Sequence, residues 1–220
     1  NILNKAISDL TGIEDFTALT SLNVANNVLT ELDITANSNL LSFDCSANFL
    51  SNLELTNNTQ LAVLNCSNNA ISSLDLSATT NLSNLNISDN AFTSFLPSVV
   101  LSLQIFNADN NSIVDLDFQQ NQNLTSISCQ SNLLGTLNIK NGQNAILSNL
   151  NASNNPDLIC IETDTGVVPA GATWLIDATA QFAIECFFGQ TFVPDDNFEQ
   201  ALIAFGYDSG ELDNYVPTES

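Results

Sequence analysis

The chain has 220 residues with 24 Asp or Glu against two basic residues, Lys5 and Lys140, so its formal net charge at pH 7 is −22. It contains no His, and since both basic residues are lysines it contains no Arg. A surface this negative repels phosphate backbones and anionic headgroups, which argues against nucleic acid and membrane surfaces as partners.

Seven segments between residues 19 and 155 share one pattern. The first runs from Leu19 to Leu29, with Leu, Leu and Val at its first, fourth and sixth positions and Asn at its ninth. That Asn recurs five times at intervals of 21 residues and once more after 23, at Asn27, Asn48, Asn69, Asn90, Asn111, Asn132 and Asn155. The pattern matches L-x-x-L-x-L-x-x-N-x-L, the leucine-rich repeat. Because such a repeat buries its apolar face only against its neighbours, the sequence predicts a solenoid with a curved parallel β-sheet of about seven to eight repeats.

The recurring Asn lies where the chain leaves each strand. Its amide can satisfy backbone groups of the turn and of the neighbouring repeat. We therefore predict that these residues form a structural ladder and do not bind a ligand.

The open face of the predicted sheet carries a column of polar residues at its centre, since alternate strand residues face opposite ways. This column consists of Asn23, Asp44, Asn65, Asn86, Asn107, Ser128 and Asn151. The open face is the customary binding surface of a solenoid, so we predict that it recognises an extended protein or polysaccharide. The alternative is that these residues only keep the sheet hydrated, since Tyr, Trp and Arg, the usual hot spots, are absent from them.

The return path of each repeat places a polar residue between two apolar ones, which predicts an extended segment on the convex side. Four of these polar residues are acids: Asp33, Glu54, Asp75 and Asp117. They could bridge calcium or act as paired carboxylates, but a linear series of acids fits neither a calcium cage nor a catalytic cleft. We predict a solvated face, no metal, no cofactor and no enzymatic activity. The repeat containing Pro97 replaces the acid and should be locally irregular.

The five cysteines fall into two groups. Cys45, Cys66 and Cys129 occupy an inward strand position and should act as small buried hydrophobes, although a bridge between Cys45 and Cys66 is an alternative. Cys160 and Cys186 flank an irregular stretch after the last repeat, and we predict that they form a disulfide in a C-terminal cap, as in oxidising compartments. Trp174 in this stretch should pack over the final repeat, with sugar stacking as the alternative.

The C-terminal residues predict a short helix. Asp195 or Asp196 is a suitable N-cap and Gly206 a suitable end. The helix would carry one apolar face made of Phe198, Ala201, Leu202 and Phe205.

Two segments resemble the leucine-rich-repeat modules of secreted and cell-surface proteins of marine Bacteroidetes. Residues 7–22 are similar to their opening repeat, and residues 192–208 are similar to the helical segment that precedes a first repeat. The resemblance implies an exported, modular protein concerned with recognition or adhesion.

The order of these segments suggests three regions: a solenoid over 1–155, a C-terminal cap over 156–189, and a cap-like helical segment over 190–220. Met is absent and residue 1 is Asn, so we interpret the chain as a processed product or an excised fragment. Residues 192–220 would then begin a following module or dock on another copy. The alternative to a recognition module is therefore a structural spacer that self-associates head-to-tail through its terminal helix.

Overall fold

A computed structural model describes residues 1–186, 190–193, 195–208, 212 and 215–217. Residues 187–189 of the predicted cap, and 194, 209–211, 213–214 and 218–220 of the predicted helical segment, lie outside the described residues. The chain divides into two compact units, Asn1–Ile184 and Glu185–Ser220.

The first unit is a parallel β-solenoid whose concave side is an eight-stranded sheet. Its strands are, in spatial order, β1 (Ser21–Asn23), β2 (Ser42–Asp44), β3 (Val63–Asn65), β4 (Asn84–Asn86), β5 (Ile105–Asn107), β7 (Ser126–Ser128), β9 (Asn149–Asn151) and β11 (Thr173–Leu175). Successive strands pair in parallel at equivalent residues, for example Leu22 with Phe43. The predicted leucine-rich-repeat solenoid is confirmed.

A second parallel sheet covers part of the convex side. It contains β6 (Asp115–Asp117), β8 (Thr136–Asn138), β10 (Cys160–Glu162) and β12 (Gln181–Ala183), in the order β12-β10-β8-β6. Short 3₁₀ turns occur at Ile13–Asp15, Pro97–Val99 and Asn144–Ile146. The turn at Pro97–Val99 is the local irregularity that the proline predicted.

The core runs along the length of the solenoid between its two sides. The middle residue of each concave strand from β1 to β9 is buried, as are the inward residues that follow it. Phenylalanines fill the middle of the core, where Phe106 stacks on Phe95 at 5.0 Å and meets Phe118 edge-on at 5.4 Å between ring centroids. Each repeat thus buries its apolar residues only against adjacent repeats, as the sequence predicted.

Strands β10 to β12 lie within the region predicted as an irregular cap, where β10 completes the repeat of β9 and β11 and β12 extend the two sheets by one more repeat. Trp174 takes the middle position of β11 beside Leu150. Its indole Nε1 donates to the carbonyl of Leu147 at 2.9 Å, and its ring meets Phe182 edge-on at 5.2 Å. Because only 9% of Trp174 is exposed, its ring offers no stacking surface to a sugar. Cys160 and Cys186 are disulfide-bonded, as predicted.

The described residues of the second unit form a short antiparallel strand pair and one helix. Strand β13 (Gln190–Phe192) pairs with β14 (Tyr215–Pro217), and α1 spans Asp196–Ala204. The Asp195 side chain caps α1 by accepting from the backbone N–H groups of Asn197 and Phe198. Gly206, at φ 81°, ends it, with Tyr207 N–H donating to the carbonyl of Leu202 at 3.0 Å. No helix among the described residues is long and apolar enough to cross a membrane.

Candidate functional site

The Asn ladder lies at the inner edge of the concave sheet, and its amides are occupied. Nδ2 of Asn48 donates to the carbonyls of Val24, Cys45 and Ser46 at 3.1, 3.0 and 3.2 Å. Its Oδ1 accepts the backbone N–H of Leu29 in the preceding repeat at 3.1 Å. Equivalent bonds form at Asn27, Asn69, Asn90, Asn111, Asn132 and Asn155. Amide nitrogens used in this way have no N–H group left for a ligand.

The residue before each ladder Asn adopts the left-handed conformation. Its φ lies between 52° and 58° in every repeat, at Asn26, Ala47, Asn68, Asp89, Asn110, Ser131 and Asn154. Asn and Asp tolerate this region better than other non-glycine residues, which explains the repeated acidic or amide residue there. The sequence carried this signal, but the spacing of the apolar residues did not reveal it.

The central column stands half-exposed on the concave face, at the last position of each strand. Its side-chain oxygens bend back to the main chain. Oδ1 of Asn86 accepts the N–H of Ser88 at 3.0 Å, and Oδ1 of Asn107 accepts the N–H of Asp109 at 2.9 Å. Oδ1 of Asn65 accepts both the N–H of Ser67 at 3.2 Å and its hydroxyl at 2.8 Å. These bonds close a turn at the ends of β3, β4 and β5.

The amide nitrogens of the same residues point away from these turns. In the described part of the chain, Nδ2 of Asn65, Asn86 and Asn107 makes no hydrogen bond. Because neighbouring strands lie ~4.8 Å apart, these three residues form a row of N–H donors, called the donor row below. It is flanked by the exposed side chains of Val63 and Ile105.

The remaining members of the column bond to their neighbours. Asn23 Nδ2 donates to Asp44 Oδ2 at 3.0 Å. At the other end, the Ser128 hydroxyl donates to Asp109 Oδ1 at 2.6 Å, and Asn151 Nδ2 donates to Gln130 Oε1 at 3.0 Å. The seven predicted residues are therefore brought together on one face, and among them Asn65, Asn86 and Asn107, in three consecutive repeats, keep both amide N–H groups free.

The convex acids also begin turns. Oδ1 of Asp33 accepts the N–H and the hydroxyl of Thr35 at 2.9 and 2.7 Å. These bonds, the hydroxyl's first, lower the pKa of Asp33. The pKa of Asp75 is also lowered, chiefly by the backbone N–H of Ser77. Among the described residues, no three His, Cys, Asp or Glu residues are grouped so as to hold a metal ion.

Comparison with known proteins identifies the fold. No protein-family model and no curated protein match the chain. Solved structures do match it. The functional domain of InlJ from Listeria monocytogenes has a TM-score of 0.63 and 24% sequence identity, and the match covers 77% of this chain and 42% of that one. A leucine-rich-repeat protein of Leptospira interrogans has a TM-score of 0.64 and 19% identity, and the match covers 81% of this chain and 48% of that one. The internalin InlF of Listeria monocytogenes also matches, with a TM-score of 0.57 and 19% identity over 83% of this chain and 52% of that one.

The chain has the leucine-rich-repeat fold. It spans about half the length of the solved chains it matches. At these identities the likeness establishes the fold alone.

The three free cysteines of this leucine-rich-repeat chain are buried in its core. Cys45 and Cys66 take equivalent positions in adjacent repeats, and InlJ is itself described as including a cysteine ladder. Burial raises the pKa of the Cys66 thiol to about 12 and raises those of Cys45 and Cys129 as well. These thiols therefore stay protonated at neutral pH and serve as core side chains.

Proposed function

We propose that this chain is a non-catalytic, extracellular recognition or adhesion module, which binds an extended protein or polysaccharide through its concave face. The observation that supports the proposal is the donor row. Turn formation already uses the oxygen of Asn65, Asn86 and Asn107, so each residue is held in place and offers only N–H groups outward. A ligand that fits presents oxygen acceptors at a spacing of ~4.8 Å.

The chemistry of this face sets the ligand class and the affinity. Main-chain carbonyls of an extended peptide and hydroxyl oxygens of a sugar chain both accept from amide N–H groups. The net charge of −22 disfavours polyanions. Each amide contact contributes about 0.5–1.5 kcal/mol, so three contacts give weak binding that repeated copies of the ligand would strengthen.

The proposal is tested by replacing Asn65, Asn86 and Asn107 together with Asp. Asp44 already closes the same turn, accepting the N–H of Ser46 at 3.0 Å, so Asp should preserve the fold while it removes the donors. The matched control adds the same charge outside the concave sheet, with Asn52→Asp, Gln120→Glu and Asn138→Asp. Residue 138 closes an equivalent turn on the convex side, through the N–H of Lys140 at 2.9 Å.

Binding is measured on arrays of neutral glycans and by pull-down of extracellular proteins, with melting temperatures recorded for every variant. We expect ligands of the unmodified chain to be lost by the concave variant and retained by the control. Equal binding by both variants, or equal loss, would show that the donor row does not recognise the ligand.

A location outside the cell or on its surface belongs to the same proposal. The Cys160–Cys186 disulfide supports it, because structural disulfides persist in oxidising compartments. The internalin-like structural neighbours and the resemblance to surface modules of marine Bacteroidetes are consistent with it.

The second candidate is a spacer that self-associates through α1. It is supported by the apolar side chains of the helix, of which Phe198 is 57% and Phe205 78% exposed, while Ala201 and Leu202 are half-buried. Light scattering over a range of concentrations should then show assembly that Phe198→Ser with Phe205→Ser abolishes. A constant monomeric mass would reject this candidate.

A further inference from the structure

The acid series on the convex side is interrupted in one repeat by apolar side chains. Leu96 occupies the position of Asp33, Glu54, Asp75 and Asp117 in the other repeats. It is 62% exposed, and Val99 in the same repeat is 39% exposed. In a chain with a net charge of −22, an exposed Leu at a position that acids or, at Asn138, an amide take in the other repeats is a clear departure from the repeat pattern.

The backbone explains why the acid is dispensable here, but it does not explain the leucine. In the other repeats the acid accepts the N–H two residues further on, as Asp117 accepts from Gln119 at 2.9 Å. In this repeat Leu96 has no side-chain acceptor, and the 3₁₀ turn adds a backbone bond instead, in which Val99 N–H donates to the carbonyl of Leu96 at 3.4 Å. A polar residue at position 96 would serve that turn as well, so the fold does not require an apolar side chain.

Leu96 and Val99 border a groove with an apolar floor. The groove has a volume of about 230 Å³, and its apolar lining is Leu74, Leu76, Phe92, Phe95, Leu96 and Val99. Leu76 and Phe92 are buried, and Phe95 is half-buried against the core. Sites for drug-sized ligands occupy about 300–1,000 Å³, so this groove suits one large apolar side chain.

Carboxylates stand on both sides of the groove. Asp75 forms part of its wall. On the other side, the Pro97–Val99 turn lies against β6, whose Asp115 and Asp117 are exposed. An apolar groove bordered by acids is complementary to a protein segment in which a large apolar residue is flanked by Lys or Arg.

We propose that this groove is a second binding surface, which docks a basic protein segment through one apolar anchor. It lies on the convex side and is independent of the donor row. A second copy of this chain is a poor occupant, because its helix α1 is capped by Asp195 and begins at Asp196, and like charges across an interface are unfavourable.

The test uses the full chain, labelled with ¹⁵N, and three synthetic peptides. The first carries a central Trp-Leu pair with two Lys on each side, the second has Ser in place of the pair, and the third has Glu in place of the Lys. We expect the first peptide to shift the amide signals of residues 94–101 and 115–117. The other two should bind at least about tenfold more weakly.

Two variants separate the groove from general charge attraction. Leu96→Asp with Val99→Ser should weaken the first peptide at least about tenfold. Leu101→Asp should leave its affinity within about twofold, since Leu101 is 55% exposed in the same repeat but does not line the groove. Equal binding of the first and second peptides, shifts spread over the whole acidic surface, or unchanged affinity of the groove variant would overturn the proposal. Concentration-dependent self-association that the groove variant abolishes would overturn it too, by assigning the groove to a second copy.

Discussion

Two buried asparagines of one repeat should differ sharply in their contribution to stability. Asn48 and Asn58 are both buried, and changing either to Ala removes the same atoms. Asn48→Ala leaves the N–H of Leu29 without its acceptor, Asn48 Oδ1. The carbonyls of Val24 and Cys45 keep a second donor, from Asn27 and Asn69 respectively.

The size of the difference follows from these bonds. An orphaned buried N–H costs about 1–3 kcal/mol, so with the three weakened carbonyl contacts we expect Asn48→Ala to cost about 2–4 kcal/mol. Oδ1 of Asn58 is buried and accepts no hydrogen bond from the described residues, while its Nδ2 donates to the carbonyls of Ile34 and Asn37. Asn58→Ala removes that unpaired oxygen, and both carbonyls keep a backbone donor. We therefore expect a cost of about 1 kcal/mol or less.

Urea unfolding followed by circular dichroism, with both variants and the unmodified chain side by side, measures the difference. For a unit of this size, each 1 kcal/mol also lowers the melting temperature by about 2–4 °C. Comparable loss of stability in both variants would refute the argument, because it would show that hydrogen-bond satisfaction does not distinguish the two positions. A changed slope against urea would instead reveal that repeats unfold separately.

Two further predictions concern the titrating groups. Without reductant, a disulfide-exchange reagent at pH 8 should react with no thiol in the folded chain and with three after unfolding, because Cys45, Cys66 and Cys129 are buried and have raised pKa values. Rapid reaction in the folded state would contradict this. Thr35→Val should raise the pKa of Asp33, measured by carboxyl NMR titration, more than Ser77→Ala raises the pKa of Asp75. The reason is that, of these two acids, Asp33 has the hydroxyl as the larger cause of its lowered pKa, whereas Asp75 has the backbone N–H. Because folding lowers the pKa of Asp33, this bond stabilises the folded state above the ordinary pKa of 3.8. That contribution is lost as the pH falls through the lowered pKa.

The spacing of apolar residues and asparagines predicted the solenoid because each repeat must bury the same face. A shift of one residue would turn the middle Leu of a strand toward solvent, so the 21-residue period determines the register from β1 to β7. The residue types also predicted the irregular repeat, because a proline at position 97 removes a backbone donor.

The use of the central column could not be deduced from spacing. A half-exposed Asn fits a strand equally well whether its oxygen faces water or accepts the N–H two residues on. The outward direction of the Asn86 nitrogen follows only once Ser88 is seen to bond its oxygen. The eighth repeat was within the predicted number, but its position at β11 and β12, inside the predicted irregular cap, was missed for another reason. Trp174 replaces the usual Leu, 24 residues after Leu150, and breaks the motif while preserving the pairing.

The short reach of the ladder has a consequence for how such a chain changes in length. Each ladder Asn bonds its own repeat and the one before it, as Asn69 does through the carbonyls of Cys66 and Cys45. These bonds therefore fix the register of each repeat relative to its neighbour, and none of them extends further along the stack. Gaining or losing a whole repeat in the middle of the stack restores the same contacts across the new junction, whereas a fraction of a repeat breaks them on both sides. The whole repeat is thus the natural unit of variation, and each added one would lengthen the concave face by one strand spacing, ~4.8 Å.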